Sequence, residues 1–460
     1  MMKKTFKIGF LVLFLLICMI PSLGLVVTGI SDGLSESGEE TVFPSLKNVD
    51  EEGESWNLDF LSDLGDWFEQ KFAFREELVS AYGLVTGKVF GTSSQEQVIV
   101  GTDGWLYFTD TLSDYQGTDL MTERQLFDAA HTLAMIQTYA EQNGIDFIFT
   151  IAPNKASLYD EHMPYYYSSF CSDENNLSHF LPWLESEGVN YVDLYAVFEE
   201  QDEVLYHARD SHWNNKGAAL AADTLLTALG QEHVSYENAD YEIRTDYIGD
   251  LDEMIYPSAE TPEEEIYYDP EPQFTYVSEV ESNYDRRIYT LSDAEGSLLM
   301  YRDSFGNALL PFMAENYGSA CFTRDQPYQL NSDLASGEFT ALVIESAERF
   351  IPNLATNAPS LAYGYVADES ADDLDYTADI TNLVAAEAGA YTKITGTLEE
   401  GSYEVDSRIY IRISGDIYSL TFEAFPFSLE DGAEGFVLYV DNTFLGILGG
   451  EEYSYEMGLS

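Results

Sequence analysis

Apolar positions fall into three regimes along the chain. From Ile8 to Val27 they run almost without interruption. From about Trp56 to Pro352 they switch between helical and strand spacing, and beyond Asp368 they follow the two-residue period of strands. Within the middle regime, Thr122 to Gln142 has the 3.6-residue spacing of an amphipathic helix and stops at Asn143-Gly144. Ile145 to Ala152 is apolar on both faces and ends at Pro153, the pattern of a strand covered on both sides in a parallel sheet. Tyr191 to Leu194, Ser297 to Tyr301 and Thr340 to Ile344 predict further strands; Gly217 to Leu229 and Asn307 to Tyr317 predict further helices. Such alternation predicts an α/β fold, a parallel sheet with helices on both faces.

Around this core the pattern changes. Leu58, Leu61, Leu64, Trp67 and Phe68 recur at helical spacing, and Phe72, Phe74 and Leu78 continue into a second helix. Val98 to Phe108 predicts two short strands about an Asp103-Gly104 turn. Tyr236 to Arg287, rich in Tyr and Glu and interrupted by Pro257, Pro262, Pro270 and Pro272, lacks a period and predicts an insertion on the surface or near a cleft. Arg408 to Ile413 and Phe436 to Val440, with a turn at Asp441-Asn442, predict an all-β C-terminal module, a sandwich. The expected organisation is an export segment over 1–30, an acidic linker over 31–54, an α/β domain over 55–367 with its insertion at about 236–287, and a β-rich module over 368–460.

Lys3, Lys4 and Lys7 precede the Ile8 to Val27 run, whose length suits a helix of about 30 Å, the thickness of a bilayer core. Cations on the cytoplasmic side place everything after Val27 outside the cell, whether the segment is retained as an anchor or cleaved. Ser22 and Gly24 are small residues at the positions a signal peptidase reads for cleavage after Gly24. Cys18 lacks a small residue before it and does not resemble a lipoprotein cysteine. The other two cysteines, Cys171 and Cys321, either pair in an oxidising compartment or are isolated thiols; neither lies in a C-x-x-C.

Charge narrows the partners. The 460 residues carry 20 Lys and Arg against 82 Asp and Glu, a formal net charge of −62, so nucleic acid and polyphosphate would be repelled. Yet 45% of residues are hydrophobic and 14% aromatic, far too apolar for a disordered acidic chain. The acidity reads as a solvated, repelling surface. No stretch matches the D-x-[DN]-x-[DN]-G calcium loop, and neither G-x-G-x-x-G nor a P-loop occurs.

Six histidines are present. His131 and His233 lack an evident partner in the sequence and are expected to be structural. His212 lies in Tyr206-His207-Ala208-Arg209-Asp210-Ser211-His212-Trp213-Asn214, just ahead of a helix. A loop there can let Asp210 accept the Nδ1 proton and leave Nε2 as a base. Ser304 follows a buried strand and precedes a glycine-containing turn into a helix, where a hydroxyl meets backbone N–H groups able to stabilise an oxyanion. Together they make an acyl-transfer triad: Ser304 attacks, His212 takes its proton, Asp210 orients the imidazole. The alternative for Ser304 is a helix cap. A metal site would need His207 as a third ligand and has no motif behind it; no metal or cofactor is expected.

Asp210-Ser211-His212-Trp213-Asn214-Asn215-Lys216-Gly217, followed by Arg302-Asp303-Ser304-Phe305-Gly306, resembles the DHHW family and the AlgX- and AlgJ-like SGNH hydrolases linked to polysaccharide O-acetylation. Gly101 to Tyr107, Ala152-Pro153-Asn154-Lys155 with Tyr159, Gly249-Asp250-Leu251, and Glu345 with Glu348-Arg349 support it, over roughly Trp56 to Pro352. The resemblance implies a permuted SGNH arrangement in which Asp210 and His212 precede Ser304. It also implies a ping-pong O-acetylation of a cell-surface or secreted polysaccharide through acetyl-Ser304, the acetyl group coming from a membrane-bound O-acyltransferase. Water as acceptor would make the protein an acetylesterase, and a catalytically silent scaffold in exopolysaccharide assembly is the alternative from another class. Arg302 stands where the family has Gly, so the oxyanion and substrate candidates are Asn307, Arg302, Lys155 and the Ser304 amide. The C-terminal module would hold glycan, with Tyr403, Tyr410, Tyr418 and Tyr439 on its strands; core packing is the alternative for these tyrosines. The acidic surface suits a neutral or cationic glycan better than a polyanion.

Overall fold

A computed structural model describes residues 8–12, 14, 15, 19, 43–50, 53–71, 74–277, 279–366, 374–429, 432–450 and 452–460. Much of the Ile8 to Val27 run and of the acidic stretch after it lies outside these residues. No described helix is long and apolar enough to cross a membrane.

The chain divides into two units, Met1–Val100 with Asp250–Thr261, and Gly101–Gly249 with Pro262–Ser460. The first contains a hairpin of β1 (Lys47–Asp50) and β2 (Gly53–Trp56), helices at Phe60–Lys71 and Arg75–Val85, strand β3 (Val98–Val100), and a short helix at Asp250–Ile255. The two helices are those expected from the spacing of Leu58 to Leu78, begun two residues later because Trp56 ends a strand.

In the second unit, β4 (Leu106–Phe108) leads to the helix Glu123–Gln142, whose Thr122 closes a capping box with Gln125. Strands β5 (Asp146–Ala152) and β6 (Tyr191–Val192) follow, then the helix Asn215–Ala228. The stretch expected as an aperiodic insertion contains an antiparallel hairpin of β7 (Asp240–Tyr247) and β8 (Glu263–Asp269), followed by β9 (Thr275–Tyr276). β10 (Arg287–Leu291), β11 (Ser297–Tyr301), the helix Gly306–Glu315, β12 (Ser319–Thr323) and β13 (Ala341–Ala347) complete the α/β core.

The central sheet has the order β6-β5-β13-β11-β12-β10-β9. β6, β5, β13, β11 and β12 run parallel; β10 runs against both its neighbours, so the expected parallel sheet is mixed at this edge. Successive strand residues feed opposite cores. Leu298, Met300 and Val343 face the helices Asn215–Ala228 and Gly306–Glu315, while Leu299, Tyr301 and Ile344 face the helix Glu123–Gln142. Helices therefore cover both faces, which is why these strands are apolar throughout.

The C-terminal strands β14 (Ile380–Ala388), β15 (Tyr391–Leu398), β16 (Ile409–Ser414), β17 (Ser419–Ser428), β18 (Glu434–Asp441) and β19 (Ser454–Leu459) form one antiparallel sheet, in the order β14-β15-β18-β17-β16-β19. The expected sandwich is a single bent sheet because β17 changes partner along its length. Ser419 to Ala424 pair with β16, and Phe425 to Ser428 with β18. Nor is Asp441-Asn442 a hairpin turn: the Asp441 carboxylate caps the helix Asn442–Leu448. A polar seam joins the sheet to Glu123–Gln142, with Arg124 on Glu434 at 2.9 Å and His131 between Glu187 at 2.8 Å and Glu423 at 3.0 Å.

Candidate active site

The carboxyl ends of β5, β11 and β13 bring three loops to one edge of the sheet, the usual place for chemistry in an open α/β fold. Residues 206–213 form a tight loop closed by a bridge between Tyr206 and Trp213 and by the His207 amide donating to the His212 carbonyl at 3.3 Å. Asn214 then caps the helix through the Gly217 amide at 3.0 Å. A Cβ on Gly217 would lie 2.6 Å from the Leu205 carbonyl oxygen, so a larger residue would push the loop away.

Both sides of this loop are held. Lys155, buried after β5, donates to the carbonyls of His207 and Ala208 at 3.1 Å each and to that of Asp210. On the other side, the Glu263 carboxylate accepts the amides of Ala208 at 2.9 Å and Arg209 at 2.8 Å. His207 Nε2 donates to Glu265 at 2.9 Å, and its ring stacks on Tyr247 with centroids 3.8 Å apart. The β7–β8 hairpin is thus the clamp on the loop that carries Asp210 and His212.

Within that frame the side chains form an unbroken chain. Asp210 Oδ1 accepts the His212 Nδ1 proton at 2.7 Å and the His212 amide at 2.8 Å, while Oδ2 accepts the Tyr247 hydroxyl at 2.8 Å. A carboxylate on Nδ1 leaves Nε2 as an acceptor, and Ser304 Oγ stands 2.8 Å from it. Phe305 packs edge-on against the imidazole at 4.8 Å and accepts Trp213 Nε1–H at its carbonyl, 3.1 Å away.

The serine turn is anchored from below. The Arg302 amide still donates to Thr323, 2.9 Å away, and the chain leaves the sheet at Asp303. Asp303 accepts the Phe305 amide at 2.8 Å and the Ala347 amide at 2.6 Å, tying the turn to the end of β13. Its own amide donates to Glu345 Oε2 at 3.0 Å. Burial, reinforced by the Asp303 charge, raises the Glu345 carboxyl well above the ordinary range. Gly306 is required: a Cβ there would lie 2.6 Å from that of Arg302.

Every residue proposed from the sequence can now be placed. Ser304, His212 and Asp210 come together. Asn307 and Arg302 lie on the serine turn, with Arg302 buried and donating to the Asn307 side-chain oxygen. Burial and the Arg324 charge pull the Arg302 guanidinium down to about 10. Lys155 does not join the substrate candidates: the residue is 3% exposed and its ammonium is engaged with loop carbonyls. His207, the third metal ligand considered from the sequence, is turned to Glu265. Cys171 and Cys321 are free thiols, Cys171 exposed and Cys321 buried. Tyr247 and Glu263 went unrecognised in the sequence, and Asp303 and Glu345 stood there only as parts of motifs, without a role. Only the Asp303-Ser304 adjacency and the Glu345 motif signalled any of them, whereas the hairpin residues act through a pairing that no local pattern encodes.

Residues 98–299 match the family model described as SGNH hydrolase-like domain, acetyltransferase AlgX. With the mixed sheet and its two helical layers, the match gives this region an SGNH-like α/β fold. The match includes Asp210 and His212 and ends before Ser304, whose place in the site comes from the geometry above. The probable alginate O-acetylase AlgJ of Pseudomonas aeruginosa is 24% identical over 139 residues, 30% of this chain and 34% of that protein. The chain thus spans about a third of the length of this curated relative. Among solved structures, Bacillus cereus PatB1 has a TM-score of 0.45 at 14% identity, covering 55% of this chain and 96% of its own. A DHHW family protein from Eubacterium siraeum has a TM-score of 0.41 at 16% identity, covering 57% and 96%.

Proposed function

We propose that the protein is an exported serine acyltransferase that O-acetylates a cell-surface or secreted polysaccharide. The observation behind this reading is the hydrogen-bonded series Tyr247–Asp210–His212–Ser304 at the carboxyl edge of the sheet. The AlgX-type match over 98–299 and the O-acetylase name of the AlgJ relative support the acetyl group and the polysaccharide acceptor. Lys3, Lys4 and Lys7 ahead of the apolar Ile8 to Val27 run support export, with the sugar substrate met on the outer face.

In the proposed reaction, Ser304 Oγ passes its proton to His212 Nε2 and attacks the acetyl carbonyl carbon of the donor. Collapse of the tetrahedral intermediate breaks the bond to the leaving group, which takes the proton from His212. A sugar hydroxyl then gives its proton to His212, attacks acetyl-Ser304 and leaves as the acetyl ester, with the proton returned to Ser304 Oγ. Asp210 holds the imidazole in the required tautomer and stabilises its charged form. The experiment is p-nitrophenyl acetate turnover by the protein and by Ser304→Ala, with and without neutral oligosaccharide. Activity lost in the variant and acetyl ester on the sugar support the transferase; acetate alone indicates an esterase, and equal rates for the two proteins remove the enzyme.

A further inference from the structure

We infer that Asn307 is a substrate-contacting donor in the Ser304 site and that Arg302 is the residue that positions it. The inference rests on the triad reading above and adds a group to it.

Arg302 can only donate hydrogen bonds, so the Asn307 side-chain atom it meets is the oxygen. That contact fixes the amide orientation, and Nδ2 faces the other way with both its protons. Among the described residues Nδ2 has no acceptor, and Asn307 is partly buried. Asn307 lies three residues beyond Ser304, and its backbone amide donates to the Ser304 carbonyl at 3.1 Å, which holds the two residues in one turn where the helix begins.

Arg302 is itself held to this task. Its stem packs where a Cβ on Gly306 would be, its Nη2 donates to the Asn283 carbonyl at 2.7 Å, and its Nη1 also reaches the Asp303 carbonyl at 3.2 Å. Asn283 in turn reaches the Asn307 carbonyl at 3.5 Å and accepts the Tyr276 hydroxyl at 3.3 Å. Among the described residues, the hydrogen-bond acceptors on the guanidinium are neutral oxygens. A residue whose only work was to neutralise a carboxylate would not be arranged this way. The Phe305 amide, a natural oxyanion donor in such a turn, is already spent on Asp303. The Asn307 amide takes that place, donating to the acetyl oxygen as negative charge develops on it.

Asn307→Asp is the decisive variant, because an aspartate keeps an oxygen for Arg302 and loses the donor. On p-nitrophenyl acetate the variant should lose about 100-fold in kcat with KM little changed and its melting temperature preserved. Arg302→Lys, which lacks the planar fork, should lower kcat in the same sense without abolishing Ser304-dependent turnover. Full kcat in Asn307→Asp, with the wild-type rate abolished by Ser304→Ala, would overturn this proposal and leave the triad standing. Equal rates in wild type and Ser304→Ala would overturn both.

Discussion

Tyr247 donates its hydroxyl to Asp210 Oδ2 at 2.8 Å, on the opposite oxygen from the one that receives His212. The carboxylate is thereby held at both oxygens, with its plane set by a residue from the β7–β8 hairpin. Tyr247→Phe removes this bond and keeps the ring stacked on His207. Hydrogen bonds to charged groups contribute about 1.5–3 kcal/mol, so kcat/KM on an activated acetyl ester should fall about tenfold or more. The melting temperature should stay close to wild type. Unchanged kcat/KM would show that His212 suffices to orient Asp210.

Lys155 tests whether the loop that carries Asp210 and His212 depends on a buried cation. Lys155→Met keeps the length of the side chain and leaves the carbonyls of His207, Ala208 and Asp210 without their donor. The expected loss of stability is about 3 kcal/mol, read from urea unfolding, and activity should fall as the loop loosens. A variant as stable as wild type would mean that Glu263 and the Tyr206–Trp213 bridge carry the loop alone.

A second network, beside β5, sets a pH dependence of stability. Glu348 accepts the Asn154 amide at 2.7 Å and the Ser157 hydroxyl at 2.9 Å, and Asp114 accepts the side-chain amide of Asn176 at 3.2 Å. Burial is the leading cause that pushes Glu348 up to about 7 and Asp114 up to about 6. Both folded values lie above the unfolded ones, so the folded chain retains protons that the unfolded chain releases. Their contribution is fully present below the ordinary carboxyl range and is lost as pH rises through about 6 and then about 7.

Glu348→Gln should therefore flatten the fall in unfolding free energy between about pH 5 and pH 7.5, relative to wild type. Repulsion among the many surface carboxylates is common to both proteins and cancels in the comparison. Identical slopes for the two would mean that Glu348 titrates in the folded chain as it does in the unfolded one.

Ser297 to Tyr301 and the turn after it are local features: an apolar strand, a glycine and an amphipathic helix each announce themselves within ten residues. The same holds for Thr122 to Gln142 and for the Asp210 to Asn214 string ahead of its helix. These suffice to predict the strands of the sheet, the helices on its two faces and the candidates Asp210, His212 and Ser304. What escaped the sequence is non-local. The reversed strand β10 reads like any other short strand, because direction leaves no mark on hydrophobic spacing. β7 is exposed along nearly its whole length, so its alternation signals no buried face, and Tyr247, Glu263 and Glu265 find their partners only once the hairpin folds. Lys155 shows the converse limit: a cation next to a candidate site reads as a substrate group until its three carbonyl partners are seen.

The most direct measurement is the fate of the acetyl group on the protein itself. The protein should be mixed with p-nitrophenyl acetate, quenched in acid during turnover, and mapped by peptide mass spectrometry. The proposed reaction predicts one acetyl group on the peptide containing Ser304 and none there in Ser304→Ala or His212→Ala. Turnover that continues with Ser304 unmodified and is unaffected by Ser304→Ala would contradict it.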